Sequence, residues 1–321
     1  MSAESRPLGK RIHHYLEYLS CLLVGWTLRV LPRRARHYLG RLAGGALFRM
    51  DKKHQAVTLN NLSLAFGASK TDAEKFGIAR GAYRHFGAMM FELLSIGKPS
   101  WHRLERMVEF EGTENYERAR EAGRGVLLIA AHFGNWEIHA MAHGYRFGPM
   151  SVIARLQENP YFNLMLERIR TVNGNAVFYK ERALPRMMRR LKEGETVAVL
   201  IDQNVAREDG VFVDFFGRPA STTPVASWLA FKTGAALVPV LTLPLSDGRY
   251  RLIYEKPVDR HLYAGPDRRQ VVQNLTQSCA TVLEGYVRRH PEFWLWMHRR
   301  WKTQPAADRP EPATLRAGEA G

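Results

Sequence analysis

Cysteine is almost missing from this chain: Cys21 and Cys279 are the only two among 321 residues. Two distant thiols exclude a disulfide framework and a thiolate metal cluster, and they suit a reducing, cytoplasmic environment. Acidic residues are scarce as well, with 31 Asp and Glu against 47 Lys and Arg, a formal net charge of +16. Such an excess favours an anionic partner, whether nucleic acid, an acidic lipid surface, a phosphorylated substrate or an acidic carrier protein, and the sign alone does not choose among them. No long uninterrupted apolar run occurs. The most apolar stretch, Ile12 through Leu31, is broken by Glu17 and Arg29, whereas a membrane span usually needs about 20 predominantly apolar residues. A plausible signal-peptidase site and any internal repeat are also lacking.

What is present divides the chain into three parts. Arg6, Lys10 and Arg11 precede the apolar stretch, Arg33, Arg34 and Arg36 follow it, and Tyr15, Tyr18 and Trp26 could anchor it at an interface. A marginal span or an interfacial helix both fit, and the basic flanks favour a helix held on the cytoplasmic face of a membrane. A helix buried on a soluble core is the competing reading. Apolar spacing predicts further helices over Gln55–Phe66 and Asp72–Ser95, so residues 1–100 form a helical, membrane-associating region. From there to residue 303, strands predicted at Val126–Ala131, Met150–Ala154, Thr196–Ile201, Leu237–Leu243 and Tyr250–Tyr254 alternate with helices, which implies an α/β sandwich. Residues 304–321, rich in Ala, Pro, Glu, Arg and Gly, read as a disordered tail.

One constellation carries chemistry. His132 and Glu137 stand five residues apart directly after the buried run Val126–Ala131. On one continuous helix they would point about 140° apart. Gly134 offers a break and Asn135 an N-cap, which places His132 on a strand-to-helix turn and Glu137 in the first helical turn. From there Glu137 could fix one imidazole nitrogen and leave the other to take a proton from a substrate hydroxyl. The residues alone leave a second reading open, in which His132 is a buried histidine satisfied by a carbonyl and Glu137 decorates a helix start.

The box His132-Phe-Gly-Asn-Trp-Glu137 resembles the H-x-x-x-x-E box of the late lipid A acyltransferases, a branch of the lysophospholipid acyltransferase superfamily whose other members usually carry Asp at the Glu137 position. Further segments match that branch in order: Arg155–Tyr161, Glu167–Arg170, Asp202-Gln203, Val213–Arg218, Thr222–Pro224 and Trp296–Lys302. The resemblance spans most of the chain, from about Leu8 to Lys302. It implies a glycerol-3-phosphate acyltransferase-like α/β sandwich with a helical membrane-associating extension. It also implies an enzyme that moves an acyl group from acyl carrier protein to a hydroxyl of a lipid A precursor, at the inner membrane of a bacterium, with no cofactor.

Roles follow from the resemblance residue by residue. His132 is expected to deprotonate the acceptor hydroxyl and Glu137 to orient it, by direct transfer, since the box holds no Ser or Cys nucleophile. Gly134 and Asn135 are candidate oxyanion donors through their amides. Arg170 is expected to bind a substrate phosphate, with Arg155 and Arg218 as further candidates against a reading as solvated surface arginines. Asp202 would hold Arg170 or a sugar hydroxyl, or would be a structural acid at a strand end. Acylation of another lysophospholipid or glycolipid is the alternative within the superfamily.

Other features point elsewhere. His139 and His143, four apart on one helix, have a zinc-compatible spacing, but no third ligand or HExxH motif accompanies them, so a metal-dependent hydrolase is a minor alternative. The aromatic and basic mixture of Phe293, Trp294, Trp296, Arg299, Arg300 and Trp301 resembles a nucleic-acid platform, without any nucleic-acid-binding motif beside it. Packing against the sheet, with the arginines near substrate phosphate or carrier protein, explains it better. Arg186, Arg189, Arg190 and Lys192 form a basic helix face open to a carrier protein or anionic headgroups.

Overall fold

The computed structural model describes residues 7–97, 100–179 and 183–306. Four helices come first: α1 (Leu8–Val30), α2 (Arg33–Met50), α3 (Lys52–Phe66) and α4 (Asp72–Ile96). Local chemistry sets their ends. Pro32 separates α1 from α2 because the ring removes a backbone donor and forces its predecessor out of the helical region. The Asp51 carboxylate accepts the His54 amide at the start of α3. Thr71 and Glu74 close a capping box at the start of α4.

Helices α2 and α4 touch backbone to backbone. A Cβ on Gly44 would stand 2.0 Å from the Tyr83 carbonyl oxygen, and one on Gly87 would stand 2.2 Å from that of Gly40. The spacing of Gly40 and Gly44, one turn apart, thus lets α2 seat on the long α4. Glu92 of α4, 7% exposed, then accepts from Arg33 Nε at 2.7 Å and from the Tyr250 hydroxyl, tying the helical layer to the sheet.

The rest alternates: α5 (Trp101–Leu104), β1 (Val108–Glu111), α6 (Thr113–Glu121), β2 (Val126–Ala130), α7 (Trp136–Phe147), β3 (Met150–Ala154), α8 (Pro160–Arg170), β4 (Ala176–Tyr179), α9 (Ala183–Lys192) and β5 (Thr196–Leu200). There follow β6 (Val211–Asp214), β7 (Pro219–Thr222), α10 (Val225–Thr233), β8 (Ala236–Pro244), β9 (Tyr250–Tyr254) and α11 (Arg268–Arg289). Among the described residues seven strands join in the order β1-β9-β8-β2-β5-β3-β4, while β6 and β7 form a separate antiparallel hairpin. The five strands from β8 to β4 are mutually parallel, and β9 and β1 run the other way. Helices cover both faces, so β2 reads as an unbroken apolar run rather than an alternating one. Leu127 and Ile129 enter one core with α9, α10 and α11, while Val126 and Leu128 enter the other with α6 and α7.

The mixed α/β architecture matches the sequence expectation, and all five predicted strands are present. Strands β1, β4, β6 and β7, four residues each, were not predicted. The predicted tail from residue 304 lies mostly outside the described residues, and its first residue, Gln304, is bonded: its carbonyl accepts from Arg207 at 2.6 Å.

Candidate active site

His132 and Asp202 are brought together by strand register. Ala130 of β2 pairs with Leu200 of β5, so the residues two positions further on leave the sheet side by side at the carboxyl ends of adjacent parallel strands. Asp202 Oδ1 lies 2.8 Å from His132 Nδ1, and Oδ2 accepts the His132 backbone amide at 2.9 Å. Oδ2 also accepts the Trp294 indole N–H at 2.8 Å. Burial alone would raise the Asp202 pKa, but the charge and hydrogen bond of His132, the Trp294 indole and the His132 amide outweigh it and hold the pKa at about 2. A carboxylate that only accepts makes Nδ1 the protonated ring nitrogen and leaves Nε2 as the basic one. The Gln203 amide nitrogen stands 3.4 Å from that Nε2.

The turn carrying His132 is fastened on both sides. Leu295 donates to the His132 carbonyl at 3.0 Å, and Gly134 donates to the Phe293 carbonyl at 2.9 Å. His85 of α4, whose pKa burial pushes down to about 4, meets the Gly134 carbonyl through Nε2 at 3.0 Å and so must donate from that nitrogen. Asn61 of α3 holds the Trp296 and His298 carbonyls through its side-chain amide, at 2.8 and 2.6 Å. Gly134 has φ +61°, and a Cβ there would meet the Thr242 carbonyl oxygen at 1.6 Å. Gly134→Ala is therefore expected to lower stability by more than about 2 kcal/mol, read as a fall in the denaturation midpoint; an unchanged midpoint would show that the turn yields freely.

Glu137 does not meet the imidazole, contrary to the expected His132–Glu137 dyad. Starting α7 with Asn135 as cap turns Glu137 towards α8, where Arg170 Nε donates to Oε2 at 2.9 Å and Arg170 Nη2 pairs with Oε1. The Trp136 indole donates to the same carboxylate at 3.2 Å. Burial would lower the Arg170 pKa, but the Glu137 hydrogen bonds and charge raise it, so the guanidinium stays charged. Asp202 is accordingly the partner of His132 and not of Arg170.

A cavity of about 520 Å³ opens beside His132. Leu128, Val152, Ala198 and Val240, from four adjacent parallel strands, give it an apolar wall, and α7 contributes His139 and Ala140. His132, Glu137, Arg170, Gln203 and the exposed Arg155 also line it. Gly134 and Asn135 do not: the Gly134 amide is spent on Phe293, and the Asn135 side chain accepts the Ile138 amide as the cap of α7. Arg218 is likewise outside the cavity, held to the Leu64 carbonyl at 2.9 Å. Arg300 is 1% exposed, which removes it from any surface contact with phosphate or a carrier protein.

His139 and His143 are engaged by hydroxyls, Nδ1 of each lying 3.1 Å from Thr242 Oγ1 and 2.9 Å from the Tyr254 hydroxyl. Burial pushes their pKa values down to about 4 and about 3, so both are neutral. Among the described residues no three His, Cys, Asp or Glu side chains gather as a ligand set. Sequence reasoning gave Trp294 only a packing role against the sheet and assigned none to His85 or Gln203. The pairing of Asp202 with His132 was accessible in principle, since each stands just past a predicted strand end.

An imidazole whose Nδ1 is held by a buried carboxylate above an apolar cavity can activate a hydroxyl through Nε2. That arrangement is suited to a group-transfer or hydrolytic enzyme. The match of residues 9–303 to the bacterial lipid A biosynthesis acyltransferase family shows which: the chain belongs to that family and is an acyltransferase. It is 27% identical over 301 residues to the lipid A biosynthesis lauroyltransferase of Escherichia coli, covering 91% of this chain and 94% of that one. Identity is 26% over 288 residues to the palmitoleoyltransferase of the same organism, covering 88% and 90%. A phosphatidylinositol mannoside acyltransferase of Mycolicibacterium smegmatis is 22% identical over 282 residues, covering 86% and 89%.

Proposed function

We propose that the protein transfers a fatty acyl group from an acyl carrier protein thioester to a hydroxyl of a lipid A precursor, with His132 as general base. The observation that carries this reading is the His132–Asp202 pair beside the apolar cavity. Nε2 takes the proton of the acceptor hydroxyl as its oxygen attacks the thioester carbonyl. The C–S bond then breaks, and the departing thiolate recovers the proton from His132, so no acyl-enzyme is needed. Two N–H groups of Arg170 are used by Glu137, and the remaining three, with those of Arg155, are suited to a phosphate of the acceptor.

The acceptor is a lipid, and the first two helices are suited to meeting it at the cytoplasmic face of the inner membrane. Leu8, Leu16, Leu23 and Trp26 of α1 and Tyr38 and Leu42 of α2 are each at least about half exposed, beside Lys10, Arg11 and Arg34. Tyr15 and Tyr18 differ from the expected free anchors, since both rings pack on Tyr161, at 5.3 and 5.8 Å. Among the described residues no helix is long and apolar enough to cross a membrane. The fit is to a protein lying on an anionic surface.

Purified protein incubated with a tetra-acylated lipid A precursor and a panel of acyl carrier protein and coenzyme A thioesters is expected to add one acyl group, seen as a single mass increment, with the carrier protein donor preferred. Acylation of a mannosylated or lysophospholipid acceptor in place of the precursor would replace this reading with the second one, which the mannoside acyltransferase likeness favours.

A further inference from the structure

Beside the active-site cavity lies a second, open groove of about 780 Å³, and the two are joined. The chain after β5 passes from one to the other, with Gln203, Asn204 and Val205 on the cavity and Glu208, Val211 and Phe212 on the groove. So does the start of α10, where Thr223 lines the cavity, Trp228 the groove, and Val225 both. A ligand lying along the groove can thus reach into the cavity on the side of Gln203, whose amide nitrogen stands 3.4 Å from His132 Nε2.

The groove is apolar along part of its length and basic at α11. Val225, Phe212 and Trp228 are half-buried, and the Trp228 indole N–H has no partner among the described residues. Arg268 and Arg269 also line it, both exposed, and among the described residues neither stands within ion-pair distance of a carboxylate. They occupy the first turn of α11, where the helix dipole disfavours cations, so helix stability does not account for them. The basic face expected on α9 is different, since Arg189 bonds Glu193 at 2.9 Å and Arg190 bonds Glu195 at 2.7 Å. The acids near the two free arginines are Glu208 and Asp267, and Asp267 already accepts the Arg269 backbone amide at 2.8 Å.

We propose that this groove seats the phosphopantetheine arm of the acyl carrier protein donor, with Arg268 and Arg269 holding the phosphate that joins the arm to its protein. The proposal rests on the thioester donor named above. The arm is an extended, amide-bearing chain with the acyl thioester at one end and a phosphodiester at the other. Laid in the groove, it offers an amide carbonyl to the Trp228 indole and delivers the thioester past Val225 to His132. Paired guanidinium forks match the phosphate oxygens at the far end. A hydrocarbon chain of the acceptor would cover the apolar part equally well, but it would leave both guanidiniums and the indole N–H without partners.

The test measures donor KM for one acyl group carried on pantetheine, on phosphopantetheine and on the carrier protein, with a tetra-acylated lipid A precursor as acceptor. Wild type is compared with Arg268→Glu/Arg269→Glu and Trp228→Phe, each checked for folding by circular dichroism. Wild type is expected to favour the phosphate-bearing donors. The arginine variant is expected to lose that advantage, its KM for both rising about tenfold with kcat little changed. Trp228→Phe, which keeps the ring, is expected to raise KM about fivefold for all three donors. Unchanged donor KM in both variants, or a rise in acceptor KM instead, would overturn the proposal and in the second case give the groove to the lipid. A rise confined to the carrier protein would place the arginines against its acidic surface and overturn the phosphate assignment. Wild type that accepts none of the three donors would instead remove the thioester reading beneath it.

Discussion

His132→Ala is expected to lower acyl transfer by about 10⁴-fold and Asp202→Asn by about 10³-fold, with both proteins keeping their helical content. The second figure follows from counting donors. Asp202 receives three, the His132 amide, His132 Nδ1–H and the Trp294 indole, on two oxygens that only accept. Asn has one accepting oxygen and an NH2 group, so at least one donor faces another donor, and the imidazole escapes by moving its proton to Nε2. That tautomer cannot take a proton from a hydroxyl. KM for the acceptor should change little, because neither residue is assigned to holding it. Transfer by Asp202→Asn at near wild-type rate would refute the assignment.

The same carboxylate makes stability depend on pH. Its pKa is lowered from the ordinary 3.8 to about 2 in the folded protein. The unfolded chain therefore binds the proton more readily, so this contribution, about 2 kcal/mol, is fully present above pH 4 and is lost as pH falls from about 4 to about 2. Asp202→Asn should show a flatter loss of stability across that window.

The second large effect is structural. Glu137→Gln leaves the Arg170 guanidinium, 20% exposed, beside a neutral amide, and stability is expected to fall by about 3–5 kcal/mol in denaturant titrations. Replacing the pair together, Glu137→Leu with Arg170→Met, should restore most of that loss, since well-packed apolar groups of similar volume replace buried ion pairs at little cost. The restored fold should still bind acceptor poorly if Arg170 holds phosphate. A Glu137→Gln protein as stable as wild type would show that α7 and α8 do not depend on this pair.

This division of labour between two acids was only half legible in the sequence. The strand-turn-helix placement of His132, Gly134, Asn135 and Glu137 follows from local rules, and the structure has the helix starting at Trp136 with Asn135 as its cap. Which acid meets the imidazole is set by β2–β5 pairing across 70 residues, and a spacing argument within one segment cannot see it. The longer strands were readable because they are mostly apolar and rich in β-branched and aromatic residues. The four-residue strands were not: β6 and β7 carry Phe, Pro, Asp and Thr in a pattern that a loop would also show. Arg300 illustrates the limit most plainly. Composition places an arginine in a basic chain on the surface, and only the packing of Phe215, Ser221 and Thr222 around it reveals that it is buried.

The account turns on the proton of one imidazole. Nitrogen-15 NMR of protein labelled at histidine, with His132 assigned by comparison with His132→Ala, reports which ring nitrogen carries it at pH 7.5. A proton on Nδ1 with an unprotonated Nε2 is the predicted result, and it should shift towards Nε2–H in Asp202→Asn while staying unchanged in the folded Glu137→Leu/Arg170→Met protein. A wild-type His132 protonated at Nε2 alone would contradict the mechanism.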